Sequence, residues 1–196
     1  VLLTGSNASG KSTFIKTVAL NAILAQTLHT VLAENYQASW FCIASSMALR
    51  DDILSQESYY IVEIRSLKRI LDLTRLSEVP VLCFIDEVLR GTNTVERIAA
   101  SSRILQAIAE QGGLCFAATH DIELTYLLEK EYDNYHFEEQ VEDDKVTFDY
   151  CLHEGRACTR NAIRLLKMLG YDEKIVDDAN ERVALFLKSG NWVSSH

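Results

Sequence analysis

The chain has 196 residues, of which 48% are apolar, and it carries a formal net charge of −9 from 19 basic and 28 acidic residues. This length suits one α/β domain over residues 1–196 with a substantial core. No apolar run is long enough to cross a membrane, and the first residues lack the pattern of a secretory signal. The acidic balance excludes a general electrostatic footprint for nucleic acid on this part of the protein.

The cysteines show no C-x-x-C spacing, and they are Cys42, Cys83, Cys115, Cys151 and Cys158. Their number is odd, and several lie in apolar runs that predict strands. We therefore expect reduced core residues in a cytosolic protein, and neither disulfides nor a zinc site.

A glycine-rich stretch near the start of the chain has the spacing G-x-x-x-x-G-K-S, from Gly5 to Ser12. A predicted strand precedes it and a helical pattern follows it, which is the context that a phosphate-binding loop needs. Glycines let backbone N–H groups turn toward a phosphate, and the following helix directs its positive end at the same anion. Lys11 would reach the β- and γ-phosphates, and the Ser12 hydroxyl would ligate Mg²⁺. The alternative is a glycine turn that matches the pattern by chance.

Helices and strands alternate in the next part of the chain. Apolar residues recur at helical spacing from Lys11 to about His29 and from Tyr59 to about Leu76, the second helix with Ser58 as a candidate N-cap. The β-forming stretch 39–49 predicts a strand between them. Two wholly apolar strands are predicted over 81–85 and 114–118, and Thr94 is expected to cap a helix to about residue 111 between them. Such strands indicate burial on both faces, as in a parallel sheet covered by helices.

The last third of the chain begins with a short helix to about residue 130. Strands are predicted over 132–139 and 145–152, and the acidic turn between them indicates an antiparallel hairpin. Two helices follow, over 161–169 and 172–188. The whole pattern predicts an α/β fold with a mainly parallel sheet flanked by helices, a β-hairpin and a C-terminal helix pair.

Polar side chains that suit phosphate chemistry follow both apolar strands. Asp86 comes at the end of the first strand and would hold Mg²⁺ together with Ser12. The adjacent Glu87 would activate the attacking water as a general base. His120 follows the second strand and would sense the γ-phosphate. The plainer alternatives are a helix-start signal for the acidic pair and an exposed loop residue for His120.

The order of GSNASGKST, SQESYYIVEI, VLCFIDEVLRGTNT and CFAATHDIELTYL resembles the ATPase domain of the MutS DNA mismatch-repair family, relatives of the ABC-type ATPases. The resemblance covers nearly the whole chain, and its most specific part is DEVLRGTNT, which is similar to the family's DE-x-x-RGT-S-T. It implies a P-loop NTPase fold that binds ATP and Mg²⁺ and hydrolyses ATP to ADP and phosphate. It also implies a homodimer formed through the ATP sites, with DNA bound by upstream domains.

The resemblance assigns roles to individual residues. Glu87 and His120 would be catalytic, and Ser12 and Asp86 would hold the metal. Ser58 falls on the family's signature serine, which approaches the γ-phosphate bound by the other subunit. The nucleotide loop would comprise Gly5, Ser6, Asn7, Ala8, Ser9, Gly10, Lys11, Ser12 and Thr13, and the loop facing the partner would comprise Gly91, Thr92, Asn93 and Thr94.

The signature loop departs from the family pattern at two positions, since Gln56 stands where glycine is usual and Glu57 where a basic residue is usual. A negative charge facing a phosphate is repulsive. One alternative is therefore a module that dimerises on nucleotide with little hydrolysis. Another is an ABC-type ATPase of a different branch, although the chain has no LSGGQ-like string. Because the sequence begins inside a predicted strand, we expect a fragment that lacks upstream DNA-binding domains, from a cytoplasmic or nucleoid-associated protein.

Overall fold

The computed structural model of the chain describes residues 1–47, 59–89, 91–142, 145–157 and 162–191. These residues fall into two compact units, one from residues 1–137 and 150–157, and a smaller one from the described parts of 138–149 and 158–196. None of the helices in the described ranges combines the length and the apolar character needed to cross a bilayer.

The strands and helices of the described residues alternate along most of the chain. The strands are β1 (Leu2–Thr4), β2 (Cys42–Ser46), β3 (Val81–Asp86), β4 (Leu114–Ala118), β5 (Asn134–His136), β6 (Glu139–Glu142), β7 (Lys145–Phe148) and β8 (His153–Glu154). The helices are α1 (Lys11–Leu28), α2 (Tyr59–Leu76), α3 (Thr94–Glu110), α4 (Glu123–Leu127), α5 (Ala162–Met168) and α6 (Glu173–Ser189).

The larger unit is built on a six-stranded sheet with the order β2-β3-β4-β1-β5-β8. Its neighbouring strands are parallel, except that β8 runs antiparallel to β5. Asp86 of β3 and Leu3 of β1 both lie opposite Ala118 of β4, so the carboxyl ends of these three strands meet at one edge of the sheet. The predicted mainly parallel sheet flanked by helices is confirmed.

Strand β3 is apolar because both of its faces are covered. Cys83 and Ile85 belong to a core cluster that includes residues of α2 and α3, whereas Leu82 and Phe84 belong to a second cluster with residues of α1. Alternate side chains of a strand point to opposite faces, so the two clusters lie on the two sides of the sheet. This two-sided burial is the reason that the strand shows no polar alternation.

Free thiols are found at Cys42, Cys83, Cys115 and Cys151, and Cys158 lies outside the described residues. Cys83 and Cys115 are direct neighbours on β3 and β4. A hydrogen bond between the two thiols, together with burial, raises the pKa of Cys83. Cys83 is thus a protonated core residue, whereas Cys151 is exposed and does not belong to the core.

Several details of the predicted elements are wrong. Residues 132–139 do not form one strand of the hairpin, because Asn134–His136 pair with the open side of β1 and so extend the main sheet. Asn93, and not Thr94, caps α3, with its Oδ1 accepting the Val95 N–H at 2.9 Å. Asparagine is the stronger capping residue of the two. The strand expected over 39–49 is limited to β2, and residues 48–49 lie outside the described ranges.

The smaller unit contains a hairpin and two helices. Strands β6 and β7 pair antiparallel, with Glu139 opposite Phe148, so the predicted hairpin exists but begins later in the chain. Its second strand was predicted over 145–152 but ends at Phe148. The predicted C-terminal helix pair corresponds to α5 and α6, and Asn161 lies outside the described residues. Asp172 caps α6 by accepting the Lys174 N–H at 2.8 Å, and Gly190 ends the helix in a left-handed conformation.

Candidate functional site

The glycine loop joins the end of β1 to the start of α1 and needs glycine at its first position. Gly5 has a φ of +139°, which L residues rarely adopt. A Cβ atom at Gly5 would lie 2.7 Å from the Phe137 carbonyl oxygen and 3.0 Å from Ser9 Oγ. The loop therefore approaches its neighbours more closely than a side chain permits. Gly10 and Ala8 also have positive φ angles, of 110° and 64°.

Lys11 is the first residue of α1, and its side chain turns back beneath the loop. Its ammonium group donates to the carbonyl oxygens of Gly5 at 2.7 Å and Ser6 at 2.6 Å. The residue is 6% exposed, so the positive charge is fixed inside the loop and not extended into solvent. Gly10 caps α1 without a side-chain hydrogen bond, so no side chain at this position competes with a ligand for the first N–H groups of the helix.

A cavity of about 580 Å³ opens beside this loop. It is lined by Asn7, Ala8, Ser9, Gly10, Lys11, Ser12, Thr13, Phe14, Thr17, Glu87, Phe137 and Tyr150. The lining thus brings seven of the nine predicted loop residues together with the predicted base. Gly5 and Ser6 do not line the cavity but accept the hydrogen bonds of Lys11.

Two aromatic residues of the cavity wall were missed by the sequence reasoning. Phe137 packs edge-on against Phe14, with 6.0 Å between the ring centroids. Tyr150 is 64% exposed and takes a left-handed backbone conformation beside Gly10. Both residues come more than 120 positions after the loop, and no short motif marks them.

The acidic pair lies at the carboxyl end of β3, two strands away from the glycine loop. Asp86 ends the strand, and its Oδ1 is buried without a hydrogen-bond partner among the described residues. Glu87 lines the cavity with a φ of 61°, and its N–H donates to the Ala118 carbonyl at 3.0 Å. The left-handed conformation at Glu87 is uncommon for a residue with a side chain and is held by this bond to β4.

His120 stands between the loop and the acidic pair because β4 lies between β1 and β3. Its Nε2 is 3.1 Å from Oε1 of Glu87. The side chains remain partly accessible, at 39% for His120 and 19% for Glu87. The two predicted catalytic residues are therefore in direct contact, and Glu87 connects them to the cavity.

An ion pair holds the residue after His120. Arg97 of α3 donates from Nε to Asp121 Oδ2 at 2.8 Å and from Nη2 to Oδ1 at 2.6 Å, which is a two-pronged geometry. The hydrogen bonds to Asp121 raise the pKa of Arg97 against the opposing effect of burial. The buried Thr119 hydroxyl also accepts the Asp121 N–H at 3.0 Å. The segment 119–121 is thereby fastened to the first turns of α3.

The predicted partner-facing loop does not line the cavity. Gly91 lies against α2, since a Cβ atom added to it would be 3.3 Å from Cβ of Tyr60. Asn93 serves as the helix cap described above, and α3 starts at Thr94. Ser58, Gln56 and Glu57 lie outside the described residues, so the predicted signature stays a prediction.

Residues 1–186 match the family described as MutS domain V. The chain is similar to the DNA mismatch repair protein MutS of Natronomonas pharaonis, with 34% identity over 92% of this chain and 21% of that protein. It is also similar to the DNA mismatch repair protein MutS of Thermus thermophilus, with 31% identity over 91% of this chain and 22% of that protein. DNA mismatch repair protein MutS 2 of Haloarcula marismortui is 30% identical over 93% of this chain and 19% of its own length. The chain spans about a fifth of the length of these curated relatives.

Proposed function

The chain belongs to the MutS domain V family, and on that premise we propose that it is a P-loop ATPase domain that binds ATP with Mg²⁺ and hydrolyses it. The observation that carries the proposal is the glycine loop around the buried Lys11 ammonium, which opens onto the same cavity as Glu87. A buried cation at the N-terminus of a helix, where the first N–H groups have no intrahelical partner, suits a polyphosphate.

Mg²⁺ fits the residues at this site. A serine hydroxyl and a carboxylate are oxygen donors of the kind that Mg²⁺ prefers beside nucleotide phosphates. Ser12 lines the cavity, and the buried Asp86 Oδ1 has no protein partner among the described residues, as expected for an atom that serves a cation or its water shell. Ser12 and Asp86 would hold the ion, and the ion would neutralise charge on the phosphate oxygens when bound.

Glu87 is proposed as the general base. Its carboxylate borders the cavity and is oriented by the contact with His120. A water molecule between Glu87 and the γ-phosphate would lose its proton to the carboxylate as it attacks phosphorus, and ADP would leave. In this proposal His120, which contacts Glu87, keeps the carboxylate aimed and senses the γ-phosphate.

We further propose that the ATP sites lie between two copies of the chain, with Ser58 and the loop from Gly91 to Thr94 directed at the partner. The support is the resemblance in sequence, together with the position of α2, which begins one residue after Ser58 and packs against Gly91. Contact with DNA is proposed for the remainder of a longer protein, since the relatives are about five times the length of this chain.

The test separates binding from chemistry. Glu87→Gln should bind ATP-Mg²⁺ like the parent but hydrolyse it about 10²–10⁴-fold more slowly, because only the base is lost. Lys11→Ala should weaken ATP binding itself, whereas Lys16→Ala, an exposed change on the same helix, should leave both properties intact. Glu110→Gln is the matched control for the loss of one carboxylate charge.

Calorimetric titration with ATP and steady-state release of phosphate are the two measurements. Parent-like turnover in Glu87→Gln would show that another group is the base. Tight binding of ATP without turnover by the parent would favour the nucleotide-dependent dimerisation module, for which Gln56 and Glu57 are the sequence argument.

A further inference from the structure

The segment that carries Glu87 has an unusual backbone. Glu87 and Leu89 both adopt left-handed conformations, with φ angles of 61° and 56°, and Val88 lies between them. Residues with side chains rarely adopt this region, and two such residues within three positions need external support. Glu87 faces the cavity, while Val88 and Leu89 are buried in the core cluster with α2 and α3.

A carboxylate of α2 supplies part of this support. Oε1 of Glu63 accepts the hydrogen bond of the Leu89 N–H. Leu89 is 1% exposed, so this N–H has little access to water and requires a protein acceptor. A charged acceptor makes a stronger hydrogen bond than a neutral carbonyl does.

The other contacts of the segment come from different elements. The Glu87 N–H donates to Ala118 of β4 at 3.0 Å, and the Ser101 hydroxyl of α3 donates to the Val88 carbonyl at 3.4 Å. Among these contacts, the carboxylate of Glu63 provides a hydrogen bond from α2 to the segment. Tyr60, one turn earlier on α2, packs against the same core cluster and against Gly91.

We infer that Glu63 is a positioning residue for Glu87: it holds the 87–89 segment in its left-handed conformation and so aims the general base at the cavity. This inference rests on the proposed ATPase function. Helix α2, which carries Glu63, begins at Tyr59, one residue after the predicted signature serine Ser58 in the sequence.

A purely structural role for Glu63 makes a different prediction, because the loss of a buried acceptor then lowers stability and leaves the chemistry of the folded molecules unchanged. The variants are Glu63→Ala, which removes the acceptor, and Glu63→Gln, whose amide oxygen accepts the same bond. Asp72→Ala is the matched control, since Asp72 is a carboxylate on the exposed side of α2 that pairs with Lys68. Glu63→Asp withdraws the carboxylate by one methylene and replaces the alanine variant if that variant fails to fold.

In the 196-residue chain, Glu63→Ala should lower kcat for ATP roughly 10- to 100-fold, the effect of misplacing a catalytic group by about 1 Å. The KM and the calorimetric Kd for ATP should stay within about twofold of the parent, because the glycine loop is untouched. Glu63→Gln should retain most of the rate, and Asp72→Ala all of it. Parent-like kcat in Glu63→Ala, or a loss in kcat matched by an equal loss in ATP affinity, would overturn the inference.

Amide hydrogen exchange of the peptide over residues 84–92 gives a second reading that needs no turnover. Exchange at Leu89 should be faster in Glu63→Ala than in the parent, and parent-like in Glu63→Gln and Asp72→Ala. If the parent hydrolyses no ATP, the proposed function fails, and this measurement still decides whether Glu63 holds the segment. Unchanged exchange in Glu63→Ala refutes the inference whatever the ATPase result.

Discussion

Replacement of Gly5 by alanine tests the geometry of the glycine loop most directly. The new Cβ atom would lie 2.7 Å from the backbone oxygen of Phe137 and 3.0 Å from Ser9 Oγ. A backbone oxygen cannot swing aside, so the loop or the segment at Phe137 must shift, at an overpacking cost of about 1–3 kcal/mol. The φ of 139° lies outside the left-handed helical region and adds about 1–3 kcal/mol for a residue with a side chain. We expect Gly5→Ala to lower the free energy of unfolding by about 2–6 kcal/mol.

Gly112→Ala is the matched control, because it separates backbone strain from collision. Gly112 also has a positive φ, of 78°, but an added Cβ atom would meet nothing within 4 Å. Its replacement should therefore cost only the backbone share, about 1–2 kcal/mol. The difference between the two variants therefore reports the close approach of the loop to Phe137 together with the greater backbone strain at a φ of 139°.

Urea unfolding with linear extrapolation gives the free energy of unfolding, and calorimetry gives the Kd for ATP. Gly5→Ala should lose both stability and ATP affinity, whereas Gly112→Ala should lose stability alone. Equal destabilisation by the two substitutions, with ATP binding retained in Gly5→Ala, would refute the close approach and the cradle built on it.

Two further predictions concern the adenine of ATP and the partner subunit. Tyr150→Ala should weaken ATP binding about 5- to 150-fold, the equivalent of one aromatic–base stack of roughly 1–3 kcal/mol, and should leave the affinity for inorganic triphosphate unchanged. Tyr150→Phe should bind ATP like the parent. An equal loss of affinity for ATP and for triphosphate in Tyr150→Ala would show that the ring supports the glycine loop and does not stack on adenine. Lys11→Ala and Ser58→Arg should each be inactive alone and regain ATPase activity when mixed. In a mixed dimer, the Ser58→Arg subunit supplies an intact glycine loop and the Lys11→Ala subunit supplies an intact Ser58, so that one complete site forms. No gain on mixing, or activity of Ser58→Arg by itself, would argue against a site between subunits.

The sequence was sufficient where local rules decide the structure. The apolar runs before Asp86 and Thr119 indicated buried parallel strands, because two-sided burial leaves no polar alternation. The spacing from Gly5 to Ser12 indicated a loop between a strand and a helix, since the glycines and the flanking periodicity are contained in one short window. Such features depend on neighbours in the chain, which the sequence gives in order.

The sequence was insufficient where distant segments meet. Nothing in residues 132–139 distinguishes a hairpin strand from one that adds to the side of β1, because the same β-forming residues suit both. The Glu63–Leu89 bond and the Arg97–Asp121 pair join residues 26 and 24 positions apart, on elements whose approach is set by the sheet order. The cavity wall at Tyr150 depends on a return of the chain after the hairpin, and it carries no motif.

The strand order of the larger unit separates two sets of features. The residues at the carboxyl ends of the strands must keep their positions, whereas the connections at the amino ends can vary in length. Helices α1, α2 and α3 each return the chain to the amino ends of the strands, so residues 29–41, 77–80 and 111–113 join the elements far from the cavity. Doubling the length of such a connection costs only about 0.6 kcal/mol in loop closure. The number of residues between the glycine loop, Asp86 and His120 can therefore differ among related proteins. The register that places Leu3 and Asp86 opposite Ala118 cannot shift by one residue, because the shift would turn the side chains of a strand to the wrong face. Distant members of the family are better recognised by which residues end neighbouring strands than by how many residues separate the motifs.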